Sequence, residues 1–390
     1  MSLRIVNSLR HVKTNEHTSP LINTLPKRCF IKPMQRVFDN DDSKTNIYKA
    51  GPTTNIAFKS NTTKVAIVNA GGLCPGINNV IYDLVYSLEK LYNVNDIYGI
   101  QYGFTGISKY NMLELCVKDV ENIQHDRGSF LGTSRGVLDA KKVSVLLDDH
   151  KINQLYVIGG DGTHKGAYEL TKYTDISIIC IPKTIDNDLP VIDRSFGFHT
   201  ATEQAKEFIM AAYSEAKDTE YGLGIVKLMG RNCGWIALSA SLASYNVDVC
   251  LIPEYEFKMD SLKSHLTNVM NEKGYCVLVI AEGISVPGYE NEDIGLYFKQ
   301  VFKNIYNVKY IDPTYLIRAY PANTSDTLYC KMLAQSAVHA GMSGYSGITV
   351  GHVDNNMCII PLEDVINKTN YVPEMMWYKL LHSNLQPDLN

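Results

Sequence analysis

Several things are scarce in this chain of 390 residues. Its nine cysteines include no CxxC pair and its ten histidines no HExxH pair, so no zinc ribbon, dithiol redox motif or helix-borne zinc protease is written here. No apolar run approaches the roughly 20 residues that a bilayer-spanning helix needs. Positive charge is not in excess: the formal net charge is −4, so no global basic field draws in nucleic acid or an anionic membrane. Contacts to phosphate, where they occur, must come from local Arg, Lys and backbone amides. Neither GxGxxG nor GxxxxGK[ST] follows any strand-like run, which argues against a nicotinamide dehydrogenase and against a P-loop. Low-complexity segments are missing as well. The odd number and the scatter of the cysteines fit a reducing compartment, with thiols used as small apolar residues. A cytoplasmic location is therefore expected, with Cys180 and Cys276 in the core. The first 16 residues carry Arg4, Arg10 and Lys13 before any acidic residue but no secretory apolar core; they read by default as a solvated tail, with an organellar-targeting segment as the weaker alternative.

What is present is organised around residues 155–190, LYVIGGDGTHKGAYELTKYTDISIICIPKTIDNDLP. The pattern reads strand, glycine turn, helix, strand, acidic turn. A parallel βαβ unit puts both turns at one carboxyl edge of a sheet, where open α/β folds bind ligands. In GGDGT the glycines let the backbone approach a ligand closely. Asp161 between them is a hard oxygen ligand suited to Mg²⁺, which takes one or two carboxylates plus phosphate oxygens. In PKTIDND, Asp186 and Asp188 stand beside Lys183 and Thr184. One carboxylate can act as a base toward a hydroxyl while the cation offsets the charge of a transferred phosphate. Read alone, each turn is also what a structural Asp-Gly or Asx turn looks like; the two together carry the signal.

The remaining chain supplies similar junctions. Residues 1 to about 60 are irregular, interrupted by Pro20, Pro26, Pro33 and Pro52, and read as an extended arm. The strand 64–70 runs into GGLCPGINNVI and then a helix with Ile77, Ile81, Leu84, Val85 and Leu88 on one face, an arrangement that binds anions or simply turns the chain. Residues 128–136, GSFLGTSRG, place Arg135 in a glycine loop, where a guanidinium can clamp phosphate oxygens. A long helix over about 196–216 precedes the strand 221–229, which ends in GRNCGW with Arg231. The strand 275–281 ends at Glu282, a suitable acceptor for a sugar hydroxyl. Residues 310–319, YIDPTYLIRA, bring Tyr315 and Arg318 to a polar turn. A helix over about 325–340 and a hairpin around 354–356 follow. Strand–helix alternation occurs twice, over about 64–190 and 221–285, so two α/β lobes are expected.

These motifs in this order resemble the phosphofructokinase family, and within it the plant- and protist-like ATP-dependent group. The resemblance covers residues 64–361 and rests on GGLCPGIN, LGTSRG, GGDGT, PKTIDND, FGFHTA, KLMGRNCGW, LIPE, AEG, YIDPTYLIR and AVHAGMSGYSG. It implies two Rossmann-like three-layer lobes with mostly parallel sheets and the active site in the cleft between them. It implies a nucleotide lobe of residues 61–197 plus about 317–365, and a sugar lobe of 198–316 plus about 366–390. It also implies a homotetramer, Mg²⁺, and transfer of the ATP γ-phosphoryl group to the 1-hydroxyl of fructose 6-phosphate.

Carried over by motif, Gly72, Arg135, Gly136, Gly160, Asp161, Gly162 and Thr163 hold the nucleotide, with Asp161 on the metal. Asp186 takes the hydroxyl proton, with Lys183, Thr184 and Arg135 assisting. Thr184, Ile185, Asp186, Asp188, Met229, Gly230, Arg231, Glu282, Leu316 and Ile317 contact the sugar phosphate, and Tyr315 and Arg318 take its 6-phosphate. Pyrophosphate-using relatives generally read GGDD, so Gly162 favours ATP; Lys183, typical of those relatives, pulls the other way. Pyrophosphate-dependent and non-catalytic regulatory readings are the alternatives, and a GGDGT kinase of another type lacks PKTIDND and MGR. The strand before MGR begins with Tyr221 and Gly222 where many bacterial members place an Arg, which leaves a cross-subunit contact in doubt and the role of Lys227 open.

Overall fold

The computed structural model describes residues 4–6, 9–11, 17–37, 47–109, 111–136, 139–289, 293–366 and 368–390. They form two compact units: residues 1–185, 189–197 and 319–368, and residues 186–188, 198–318 and 369–390.

The first unit is built on an eight-stranded sheet. Its order is Tyr48–Lys49, Asn356–Pro361, Ile348–Val353, Ser177–Pro182, Gln154–Gly159, Lys64–Asn69, Asp96–Ile100 and Met112–Glu114. The five strands from Ile348–Val353 to Asp96–Ile100 are parallel; the outer ones add antiparallel. Gln154–Gly159 and Ser177–Pro182 are buried along their whole length, as a parallel strand covered on both faces requires, and their sequences are accordingly near-continuous apolar runs. Cys180 lies in this core. From Lys64–Asn69 the chain crosses to one side of the sheet, and from Gln154–Gly159 to the other. These two neighbours mark a topological switch point, and the crevice beyond their carboxyl ends is where such sheets take ligands.

The N-terminal arm belongs to this unit. Tyr48–Lys49 is its edge strand, Leu9–His11 pairs with Tyr345–Ser346, and the amide of Met34 donates to the Tyr345 hydroxyl at 2.7 Å. Periodicity could not show this, because the pairing partners lie some 300 residues away. The expected hairpin turns at Asp354 and Asn355, both with positive φ, and the Asp193 carboxylate accepts from both of their amides.

The second unit has a four-stranded, wholly parallel sheet in the order Val249–Leu251, Tyr275–Ala281, Gly222–Leu228 and Asn307–Ile311. Helix Phe198–Lys217 packs along it, and Cys276 is fully buried. The segment 310–319 contains a short helix, Thr314–Arg318, rather than the polar turn expected from its sequence; the Asp312 side chain starts it by accepting from the Thr314 amide.

One buried acid in the first unit yields a stability prediction. Asp83, in helix Ile77–Tyr86, is 6% exposed, and burial pushes its carboxyl up to about 6 although Lys331, 3.7 Å away, pulls it down. The unfolded chain titrates near 4, so stability is fully present below that pH and declines as pH rises toward 6. Asp83→Asn removes the cost of burying the charge and loses only a pair whose lysine is half exposed. It is expected to stabilise by about 1–3 kcal/mol at pH 7.5. Melting both proteins from pH 7.5 to pH 5 tests this: the gap should close on acidification, and a gap independent of pH would refute it.

Candidate active site

In the first unit, three loops meet beyond the switch point. The strand Lys64–Asn69 ends in Asn69, whose side-chain amide donates to Ser129 Oγ and to the Gly132 carbonyl, both at 3.1 Å. The Gly71 amide donates to the Ser134 carbonyl at 2.9 Å, and Thr133 Oγ1 donates back to the Gly71 carbonyl at 2.5 Å. The loop carrying Arg135 and Gly136 is thereby fastened to the Gly71–Gly72 turn. Arg135 itself is exposed, with its guanidinium 3.8 Å from where a Gly72 side chain would begin. The third loop is joined by Lys183, a buried residue whose ammonium donates to the Gly72 carbonyl at 2.6 Å. Ser195 Oγ hydrogen-bonds the carbonyl of half-buried Thr184, and Ile185 is buried.

GGDGT is turn and helix at once. Helix Asp161–Leu170 starts at the motif's aspartate, with Gly160 as its cap. The first amides of a helix have no intrahelical partner and carry the positive end of its dipole, which suits phosphate. Asp161 gives one carboxylate oxygen to Lys165 at 2.7 Å, while its Oδ1 is shielded from solvent and has no partner. Gly162 is exposed, and a Cβ built on it meets nothing within 4 Å. Thr163 turns its amide to the Gly160 carbonyl at 3.0 Å.

The sequence reading missed His164, which is fully buried. Its Nδ1 lies 3.0 Å from the Gly160 carbonyl and its Nε2 3.0 Å from Thr349 Oγ1. Burial lowers its pKa to about 4, so the ring is neutral. A carbonyl only accepts, so Nδ1 carries the hydrogen and Nε2 is an acceptor; it shares the single Thr349 hydroxyl hydrogen with the Cys180 carbonyl, 3.2 Å from the same oxygen. The ring anchors the glycine turn to strand Ile348–Val353. Its sequence position inside the motif was the available signal; its partner, 185 residues away, left none.

The second unit begins one residue after Ile185. The carbonyl of Asp186 accepts from Cys233 Sγ at 3.3 Å. Asn370 donates its amide to the Asp188 carbonyl at 2.9 Å and its side chain to the Asn187 carbonyl at 3.0 Å, and in turn accepts from Trp235 Nε1 at 2.9 Å. Glu254, the acid of LIPE, accepts from the amides of Gly234 and Val372, each at 3.0 Å. The acidic turn is therefore held by the segments 233–235, 254 and 370–372.

Asp186 is half-buried, and its Oδ1 is solvent-shielded and has no hydrogen-bond partner. Burial, then the charges of Asp188 and Glu282, push its carboxyl up to about 7; Arg318 and a hydrogen bond from the Arg231 backbone pull the other way. The structure thus gathers Asp186, Asp188, Glu282 and Arg318 into one electrostatic group, with the Arg231 backbone against Asp186. Met229 and Gly230 are buried beneath it. Gly230 has φ +131°, and a Cβ there would lie 2.4 Å from the Cys233 carbonyl oxygen, so the turn before Arg231 admits only glycine. Tyr315 is 84% exposed and Leu316 53%. Ile317 differs: its side chain is in the core and leaves only backbone for a ligand.

Comparison with known proteins places this arrangement. A family model described as Phosphofructokinase matches residues 64–341. The chain is 43% identical to "ATP-dependent 6-phosphofructokinase 4, chloroplastic" of Arabidopsis thaliana, over 93% of this chain and 76% of that one. It is 37% identical to an ATP-dependent 6-phosphofructokinase of Entamoeba histolytica, covering 83% and 80%. Among solved structures, a pyrophosphate-dependent phosphofructokinase from Marinobacter aquaeolei superposes with a TM-score of 0.72 over 84% of this chain and 91% of that one, at 22% identity. That last likeness concerns the fold alone.

Proposed function

The chain belongs to the phosphofructokinase family, and we propose that it transfers the γ-phosphoryl group of ATP to the 1-hydroxyl of D-fructose 6-phosphate. The observation that carries this reading is Asp186: a carboxylate pushed up to about 7, with one shielded oxygen without a partner, the charge of Arg318 acting on it and the Arg231 backbone hydrogen-bonded to it. A base poised near neutrality is what proton removal from a sugar hydroxyl calls for. As the O1–P bond forms and the bridging bond to the β-phosphate breaks, the hydroxyl proton passes to Asp186, and ADP and fructose 1,6-bisphosphate result. Phosphoryl transfer otherwise needs positioning and charge stabilisation. The first unit takes the nucleotide, with Arg135 and Lys183 as charges, residues 160–162 as amide donors and Thr163 beside them. The second takes the sugar phosphate, with Arg231 and Glu282 on the sugar and Arg318 on its 6-phosphate.

Mg²⁺ fits this reading through Asp161, whose Oδ1 has no partner. Among the described residues no three His, Cys, Asp or Glu side chains converge as a metal set, as expected for an ion that keeps waters and phosphate oxygens as most of its ligands. When bound, Mg²⁺ offsets charge on the donor phosphates. A homo-oligomer, a tetramer by family resemblance, and a cytoplasmic location complete the proposal. The latter is supported by the odd number and the scatter of the nine cysteines; among the described residues no helix is long and apolar enough to cross a membrane.

The second reading, pyrophosphate as donor, has Lys183 in its favour. Open space at Gly162 favours ATP, since an α-phosphate needs that room. Turnover of fructose 6-phosphate measured with ATP and with pyrophosphate decides between them. Activity with ATP is expected; activity with pyrophosphate alone overturns the donor assignment, and none with either leaves the regulatory reading.

A further inference from the structure

Lys227 is a buried cation in the second unit that the reaction does not use. It stands in strand Gly222–Leu228, two residues before Met229, and is 7% exposed. Its ammonium pairs with Asp312 at 2.7 Å and with Asp293. Each carboxylate has a second task. Asp293 caps helix Ile294–Phe302 by accepting from the Leu296 amide at 3.1 Å. Asp312 accepts from the Thr314 amide at 3.1 Å and from Thr314 Oγ1 at 2.6 Å, at the start of helix Thr314–Arg318. One ammonium thus joins the strand that leads to Arg231, the helix Ile294–Phe302 and the short helix that carries Tyr315 and Arg318.

Burial works against the ammonium, but its hydrogen bonds to Asp293 and Asp312 outweigh this and raise its pKa, so it is charged throughout the neutral range. Without it the two carboxylates face each other with the Tyr310 hydroxyl, 3.5 Å from Asp293, as a remaining donor. Their repulsion would then act directly on the residue that starts the Arg318 helix.

We propose that Lys227 is a positioning residue for the sugar phosphate: by holding Asp312 and Asp293 together, it sets where the helix Thr314–Arg318 presents Arg318. This rests on the reading of Arg318 as a ligand of the 6-phosphate. A displacement of a binding group by a fraction of an ångström weakens the one substrate it holds and leaves the other site as it was.

The test uses the full chain and three variants, K227M, D312N and R318A, with KM for fructose 6-phosphate, KM for ATP and the thermal midpoint measured on each. K227M is expected to raise KM for fructose 6-phosphate about tenfold or more while KM for ATP stays within about twofold. D312N keeps an oxygen for Thr314 and turns an NH₂ toward the ammonium in place of Oδ2, while Lys227 keeps Asp293, so it is the milder change and its thermal midpoint reports its folding. It is expected to show the same one-sided change, about threefold to fivefold. A wild-type KM for fructose 6-phosphate in D312N or K227M, or an equal rise in both KM values, overturns the positioning role. R318A separates the two ideas. A wild-type KM for fructose 6-phosphate in R318A overturns the reading of Arg318 itself, whereas a large rise in R318A beside an inert D312N overturns only the inference about Lys227.

Discussion

Asp186→Asn is expected to lower turnover by about 10²–10⁴-fold while leaving the KM for both substrates within a few-fold. Asparagine keeps the shape of the side chain, and the bonds to main-chain carbonyls that hold the turn, from Cys233 Sγ to Asp186 and from the Asn370 amide to Asp188, do not depend on the carboxylate. What is lost is the proton acceptor. The pH dependence gives a second readout. With the Asp186 carboxyl raised to about 7 by burial and by Asp188 and Glu282, the base is protonated and inactive below that pH and available above it. The kcat/KM for fructose 6-phosphate should fall about tenfold per pH unit on the acid side of 7 and level off on the alkaline side, and this limb should vanish from the residual activity of the variant. Stopped assays from pH 5.5 to 9 on both proteins measure it. An asparagine variant that turns over at the wild-type rate would remove Asp186 from the chemistry.

Gly162→Asp is the second large effect. The residue lies in the first turn of helix Asp161–Leu170, is exposed, and has open space where a Cβ would stand. An aspartate there meets no steric obstacle and complements the positive end of the helix dipole, so the variant should fold and melt at or above the wild-type temperature. Toward ATP it acts differently. A carboxylate placed about 5 Å from a nucleotide phosphate costs on the order of 3 kcal/mol at an effective dielectric of about 20, or roughly 10²-fold in kcat/KM for ATP. Gly162→Ala, which adds volume without charge, should stay within about threefold of wild type. Steady-state kinetics on both variants, with melting curves as a control, separate charge from shape. Unchanged use of ATP by the aspartate variant would mean that the nucleotide does not pass this residue.

Much of the chemistry was legible because it is local. GGDGT and PKTIDND each begin at the last residue of a buried, six-residue parallel strand with an apolar centre, and a strand followed by a glycine or acidic turn places that turn at the sheet's carboxyl edge whatever surrounds it. The family resemblance rested on the same short motifs, so it was available from the residues alone. Helix limits came within about two residues for the same reason, since apolar spacing and caps are read over a few positions. The hairpin around 354–356 was marked by its own turn residues, Asp354 and Asn355.

Everything that depends on partners far along the chain was out of reach. Nothing near Asp186 announces that Asn370 holds its turn, that Glu282 and Arg318 share its electrostatic field, or that one of its oxygens is shielded from solvent. Burial and the charges of Asp188 and Glu282 raise its pKa into the neutral range against the pull of Arg318, and an isolated PKTIDND peptide would have ordinary carboxylates. The same holds for His164, whose ring is anchored on Thr349, for Lys227, whose charge is spent on Asp293 and Asp312, and for the N-terminal arm, whose strands are completed by residues near 345 and 358. The sequence by itself determined which residue types stand at which turns, and through them the family and the reaction class. Only the tertiary structure decided which of those residues are shielded, what charges they feel and what holds them in place, because desolvation and Coulomb interactions are set by distance in space rather than along the chain.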